Sequence, residues 1–170
     1  MIFSEQNHVV YSLLMAGTAN SSTERFTRNI DMSHYNHCTF IVLAGAGTGA
    51  GTIYVESVPT ATGSSSAGTL ITGWNYQALS ASATENSTGG GDTLGTLTAG
   101  TTAGFAVATA STYYMYVVDV EAAALSTATA CRLDILMDST GWAFSGVAIV
   151  SEPRYAQATG ISVLSDYTTL

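Results

Sequence analysis

The stretch 113-YYMYVVDVEAAALSTATACRLDILMDSTGWAFSGVAIVSEPRYAQ-157 decides how this chain is read. It holds three strand-like runs, Tyr113–Glu121, Thr129–Asp138 and Phe144–Glu152, separated by short turns. In the first, Tyr114, Tyr116, Val118 and Val120 share one face. Met115, Val117, Asp119 and Glu121 share the other, which passes into acid at its end. In the second, Cys131, Leu133, Ile135 and Met137 point one way, and Arg132, Asp134, Leu136 and Asp138 the other. Period-two alternation of this kind marks a strand with one core face and one mostly wet face. The third run is apolar and stops at Pro153, which has no N–H to give to a ladder. Glu121–Ser126 fits a single helical turn, too short to stand alone.

Working outward, Cys38–Ala44 is apolar on both faces, which predicts a central or doubly covered strand. It is followed by a glycine-rich turn, Ala44–Gly51, and a second run, Thr52–Val58, so the segment reads as a hairpin. Thr69–Leu79 reads as one strand with Trp74 and Tyr76 on one parity. Phe105, Val107 and Thr109 suggest an edge strand. Phe26–Met32 alternates weakly, and His8–Met15 fits either a strand or a turn and a half of helix. Ser80–Asp92 is loop by composition. Many short strands with frequent turns and no long amphipathic helix predict an all-β, single-domain antiparallel β-sandwich, jelly-roll-like, with extended N- and C-terminal arms. The expected layout is a sandwich with its N-terminal arm over residues 1–157, its core at 26–157, and a C-terminal tail over 158–170.

Composition narrows the function. At 170 residues, one domain with a proper core is expected. Half of the chain is Ala, Thr, Ser or Gly, and only 9% is charged. There is no lysine, and the four arginines are Arg25, Arg28, Arg132 and Arg154, against a net charge of −8. Phosphate contacts supply most nucleic-acid affinity and basic clusters most adhesion to anionic membranes, so neither partner is expected. Residues 1–10 lack the basic and long apolar regions of a signal peptide. The charge-free stretches are broken by Gly, Ser and Thr, unlike membrane spans. So little charge suits a chain that stays docked on an assembly, and equally a Ser/Thr-coated surface β-protein.

The chemical motifs fail on context. Gly45-Ala46-Gly47-Thr48-Gly49-Ala50 has the form of a dinucleotide fingerprint, but a β run follows where a helix must start, and no acid stands about 20 residues on. A P-loop needs the missing lysine. His34, His37 and Cys38 cluster without a second ligand pair, and Cys38 falls on the opposite strand face from His37. Cys38 and Cys131 sit mid-strand, where buried free thiols are the default and a bridge between neighbouring strands is the open alternative. The paired carboxylates Asp119/Glu121 and Asp134/Asp138 fit a solvated face or a cation site better than acid catalysis. No enzyme activity and no cofactor or metal is expected. Arg154, after the strand-ending proline, fits either a bidentate lock on a strand acid or a contact with a partner's carboxylate. Glu152, Arg154, Tyr155 and Arg132 are the candidate partner or fold-locking residues.

The combination of Tyr116–Ser126 (YVVDVEAAALS), Arg132–Thr140 (RLDILMDST) and Val147–Gln157 (VAIVSEPRYAQ) resembles a group of small structural proteins encoded beside the major capsid gene of tailed bacteriophages. Asn29–Ser57 (NIDMSHYNHCTFIVLAGAGTGAGTIYVES) is similar to that group's strand, glycine turn and strand. The likeness spans about residues 26–157 and is strongest in the C-terminal third. It implies a cement or decoration protein on the outer surface of the virion capsid, in contact with the major capsid protein, dimeric or trimeric at local symmetry axes, without catalysis or cofactor. It also implies a structural role for Arg154 and Tyr155. The alternative is a tail or surface adhesin that binds a host glycan, with Trp74, Tyr76 or Trp142 as stacking platforms.

Overall fold

A computed structural model describes residues 7–14, 25–45, 50–61, 68–81, 94–107, 113–137 and 144–153. They form two antiparallel sheets packed face to face. The larger, sheet A, contains β1 (Asn7–Leu14), β12 (Phe144–Pro153), β4 (Tyr35–Ala44), β10 (Tyr113–Glu121), β7 (Trp74–Ala81) and β8 (Thr98–Ala99), in that order. Sheet B is built on two long strands, β11 (Ala130–Met137) and β5 (Gly51–Val58). The short strands β2 (Arg25–Phe26) and β3 (Ile30–Asp31) flank β11, while β6 (Thr69–Leu70) and β9 (Phe105–Val107) flank β5. The pairs are nested along the chain: β1 with β12, β3 with β11, β4 with β10.

Alternation places the core. Cys38, Phe40 and Val42 of β4, Tyr116, Val118 and Val120 of β10, and Phe144, Ala148 and Val150 of β12 are buried on the inner face of sheet A. Ile53 and Val55 of β5 and Cys131, Leu133, Ile135 and Met137 of β11 meet them from sheet B. Between β10 and β11, a 3-10 turn (Ala122–Leu125) buries Leu125. At one side of the core Phe105 of β9 stacks on Tyr76 of β7, with ring centroids 4.1 Å apart and planes 8° apart, and lies 5.2 Å from Tyr116. Trp74 joins this cluster and donates its indole N–H to the carbonyl of Ile71 at 2.9 Å, so its polar edge is satisfied inside.

Four sequence expectations change. Cys38–Ala44 and Thr52–Val58 do not form a hairpin: β4 belongs to sheet A and β5 to sheet B, so the connection crosses the sandwich. Thr69–Leu79 is two strands in different sheets, because the chain turns at Gly73, whose φ of +82° suits a residue without a Cβ. Phe26–Met32 is two short strands, because Thr27 interrupts the ladder: its N–H donates to Leu133 O, and its Oγ1 accepts from the Leu133 N–H, both at 2.9 Å. The outer face of β11 is wet at Leu136, 41% exposed, but not at Arg132 and Asp134, each only 4% exposed. His8–Met15 resolves as the strand β1.

Gly100 lies flat against Trp74, with its N–H 2.7 Å from the Trp74 carbonyl, and a Cβ there would run into the indole ring. Gly100→Ala is expected to cost about 1–3 kcal/mol in denaturant unfolding, the usual toll of overpacking.

Cys38 and Cys131 are free, buried thiols that approach from opposite sheets. Burial, first of all, then a hydrogen bond with Cys131 and the nearby Cys131 and Asp119 charges hold the Cys38 thiol well above its ordinary range. Since the folded pKa is raised, this contribution is fully present below the unfolded thiol value, about 8.5, and is lost as pH rises towards the folded value. In that window the unfolded chain has released a proton that the folded chain keeps. Unfolding free energy is therefore expected to fall more steeply above about pH 8.5 in the native protein than in Cys38→Ala. Parallel slopes in denaturant titrations at several pH values would contradict this.

Candidate functional site

The outward side chains of sheet A align in rows across the strands. One row runs Val9, Ile149, Thr39, Asp119 and Asn75. The next places Val147, Ile41, Val117 and Gln77 side by side, and the one beyond it Ser145, Leu43, Met115 and Leu79. Val9 is 59% exposed and Leu43 51%, with Ile41, Val117, Val147, Ile149, Met115 and Leu79 half-buried between them. An apolar surface thus crosses five adjacent strands. The β-branched residues that make these strands good sheet formers also make their outer face apolar.

This surface ends in an acidic rim. His37 of β4 pairs in register with Glu121 of β10 and Ser151 of β12. Its Nε2 lies 3.7 Å from Asp119 Oδ1 and 3.8 Å from Glu121 Oε1, and its Nδ1 lies 3.4 Å from Ser151 Oγ. Thr39 Oγ1 donates to Asp119 Oδ1 at 2.7 Å. Serine, histidine and carboxylate stand in line, yet at separations wider than the roughly 2.6–3.2 Å at which a base activates a nucleophile. The set reads as a histidine flanked by acids at the border of an apolar face. Among the described residues no group of three or more His, Cys, Asp or Glu is arranged to hold a metal ion, and no helix is long and apolar enough to cross a membrane.

Charge is divided between the sheets. Among the described residues the strands of sheet A carry Asp119, Glu121 and Glu152 and no arginine. Arg25, Arg28 and Arg132 all lie on or beside β2 and β11 of sheet B. There Arg132 stands opposite Glu56 in register, and its Nε donates to Glu56 Oε2 at 2.7 Å. The Phe26 ring covers the guanidinium at 3.9 Å. Gly68 packs against the Glu56 side chain so closely that a Cβ there would collide with the carboxylate. Arg132 thus clamps β11 to β5 beneath a lid from β2, the geometry of a fold lock.

Of the other candidates, Glu152 is exposed near the end of β12 with a φ of +57°. Arg154, Tyr155, Trp142 and Asp138 lie outside the described residues. Trp74 cannot act as a stacking platform for a sugar: it is 1% exposed and packed in the core. Tyr76 has one ring face committed to Phe105. Sequence parity placed Val117 and Asp119 on one face but missed Glu56 and Phe26 as partners of Arg132. The available signal was that Glu56 is the lone charge in a long uncharged stretch, and Arg132 the lone cation of its strand.

Arg132→Ala is expected to destabilise the fold by roughly 3–5 kcal/mol, because it leaves the buried Glu56 carboxylate without its counter-charge. The paired replacement Arg132→Met with Glu56→Leu should recover most of that loss. Denaturant unfolding of both variants measures the difference. No family model, no curated protein and no solved structure matches this chain.

Proposed function

We propose that this chain is a structural virion protein that binds the outer surface of a bacteriophage capsid and cements the major capsid protein subunits. The observation that carries the reading is the apolar face across five strands of sheet A, rimmed by Asp119 and Glu121. A surface of this kind works through buried area, which suits permanent attachment to another protein. The nested pairing of β1 with β12, β3 with β11 and β4 with β10 supports a jelly-roll-like reading of the sandwich, with β7 and β8 added at one edge. The likeness of Tyr116–Ser126 and Val147–Gln157 to capsid-gene neighbours points the same way. In this reading the protein is a homo-oligomer, dimer or trimer, at local symmetry axes and needs no cofactor. An acidic chain without lysine suits the outside of a shell rather than its DNA-facing side. Arg154 and Tyr155, which follow Pro153 in the sequence, keep a structural role in this reading.

Two measurements test this. Purified particles should contain the protein at a copy number comparable to the major capsid protein. Particles made without it should break at a lower temperature, and adding the purified protein should restore their resistance. A handful of copies per particle, or equal heat resistance with and without the protein, would overturn the reading.

A further inference from the structure

We infer that the outer face of sheet A is the docking surface, and that its partner presents an apolar patch bordered by lysine or arginine side chains. The inference rests on the cementing proposal only for naming that partner as the capsid. Its chemistry comes from the face itself.

Five strands at about 4.8 Å and some six residues at about 3.3 Å give a footprint of roughly 400 Å². The footprint includes the polar Thr39, Asp119, Asn75, Gln77 and Ser145, so its apolar part is the size of the largest patch on an ordinary monomer, a patch that is often functional. The footprint is also about half of the roughly 800 Å² that each partner contributes to a standard interface. The bordering groups must therefore join the contact, and at one end they are acids. Asp119 and Glu121 of β10 both face His37 Nε2, with no arginine on this sheet among the described residues. Thr39 holds the Asp119 carboxylate in place by its hydrogen bond, so this charge is pre-positioned.

Charge then separates the possible occupants. A second copy of the chain brings a net charge of −8 and, among the described residues, no cation on the matching face. Its acids would meet acids or apolar side chains. A partner with a basic border turns the same two carboxylates into cross-interface pairs, which fix orientation and speed encounter.

The test uses two probes with the full chain. One is a mixed-mode adsorbent carrying a benzyl group beside a quaternary ammonium, which reproduces both chemistries. The other is undecorated heads of the parent phage. Variants are Leu43→Asn in the apolar centre, Asp119→Asn with Glu121→Gln at the rim, and Leu136→Asn on the outer face of sheet B as control. Leu43 and Leu136 are 51% and 41% exposed, so both changes should lower thermal melting only slightly and to a similar extent.

Leu43→Asn is expected to weaken binding to both probes about tenfold or more, the value of one buried leucine. The rim variant should weaken it several-fold and flatten its salt dependence. The control should bind like the native chain. Equal binding of all variants to heads would overturn the docking face while leaving the cementing role standing. Variant-sensitive binding to the adsorbent without binding to heads would do the reverse. A dimer in sedimentation that Leu43→Asn dissociates would show that a second copy occupies the face, and would overturn the basic-bordered partner.

Discussion

The sandwich depends on how its narrower sheet is held together. Sheet B has two long strands, and the four segments beside them are two or three residues long. Its ladder is therefore anchored chiefly by β11 against β5. Across that pair stands Arg132 against Glu56, an ion pair 2.7 Å long and almost fully buried, on the side facing away from the core. Burying two charges carries a large desolvation penalty, which good geometry and a dry environment only partly offset. What such a pair supplies is register. A shift of one residue would send Arg132 and Asp134 into the core and Cys131, Leu133 and Ile135 to the outside. Both errors are costly, so the pairing of β11 with β5 is strongly specified. Thr27 adds to this by returning two hydrogen bonds to Leu133 at the other edge of β11.

With sheet B in register, its inner residues define the surface against which sheet A packs. Sheet A needs less help, since β4, β10 and β12 are long and each is flanked on both sides. It has no buried ion pair among the described residues and accommodates β-branched residues on both faces. The two outer faces therefore differ in kind. That of sheet B buries its Arg132–Glu56 pair within the sheet. That of sheet A leaves apolar side chains in water beside Asp119 and Glu121.

The sequence made some of this legible, and the limit is physical. Alternation is a local property, so the inner faces of β10 and β11 were readable from parity alone. Sheet membership is not local. The hairpin expected over Cys38–Val58 follows the general preference of consecutive strands to pair. Here the chain crosses instead, and β4 finds its neighbours in β10 and β12, far along the sequence. Arg132 read as solvated because a charge at an outward position normally is. Only the register that puts Glu56 opposite it, with Phe26 above, makes burial affordable. Trp74 and Tyr76 share a parity in either reading. Whether that parity faces water or core is decided by Phe105, which arrives from the other sheet. The apolar face was half legible. Met115, Val117 and Asp119 lie on it by parity, but its extent required knowing that β12 and β1 continue the same rows.

The distribution of charge gives the low charge content a structural meaning. A chain with 9% charged residues has few groups available for keeping apolar surface apart in solution. Arg132 and Glu56 are spent inside sheet B, where they contribute nothing to solubility. On the outer face of sheet A, Asp119 and Glu121 stand at one end, and the centre carries Ile41, Val117 and Val147 without a charge between them. A monomer selected to remain free would gain from one lysine in that row at little cost to the sheet, as edge and surface strands commonly show. Threonine would serve nearly as well, being β-branched and polar, and the chain has 25 of them to place. Thr39 does occupy the adjoining row, where it positions Asp119. The apolar centre is therefore not a by-product of strand propensity alone, because polar residues with the same propensity are abundant elsewhere in the chain. A face kept dry in composition and acidic at its border is the arrangement expected of a surface whose working state is covered.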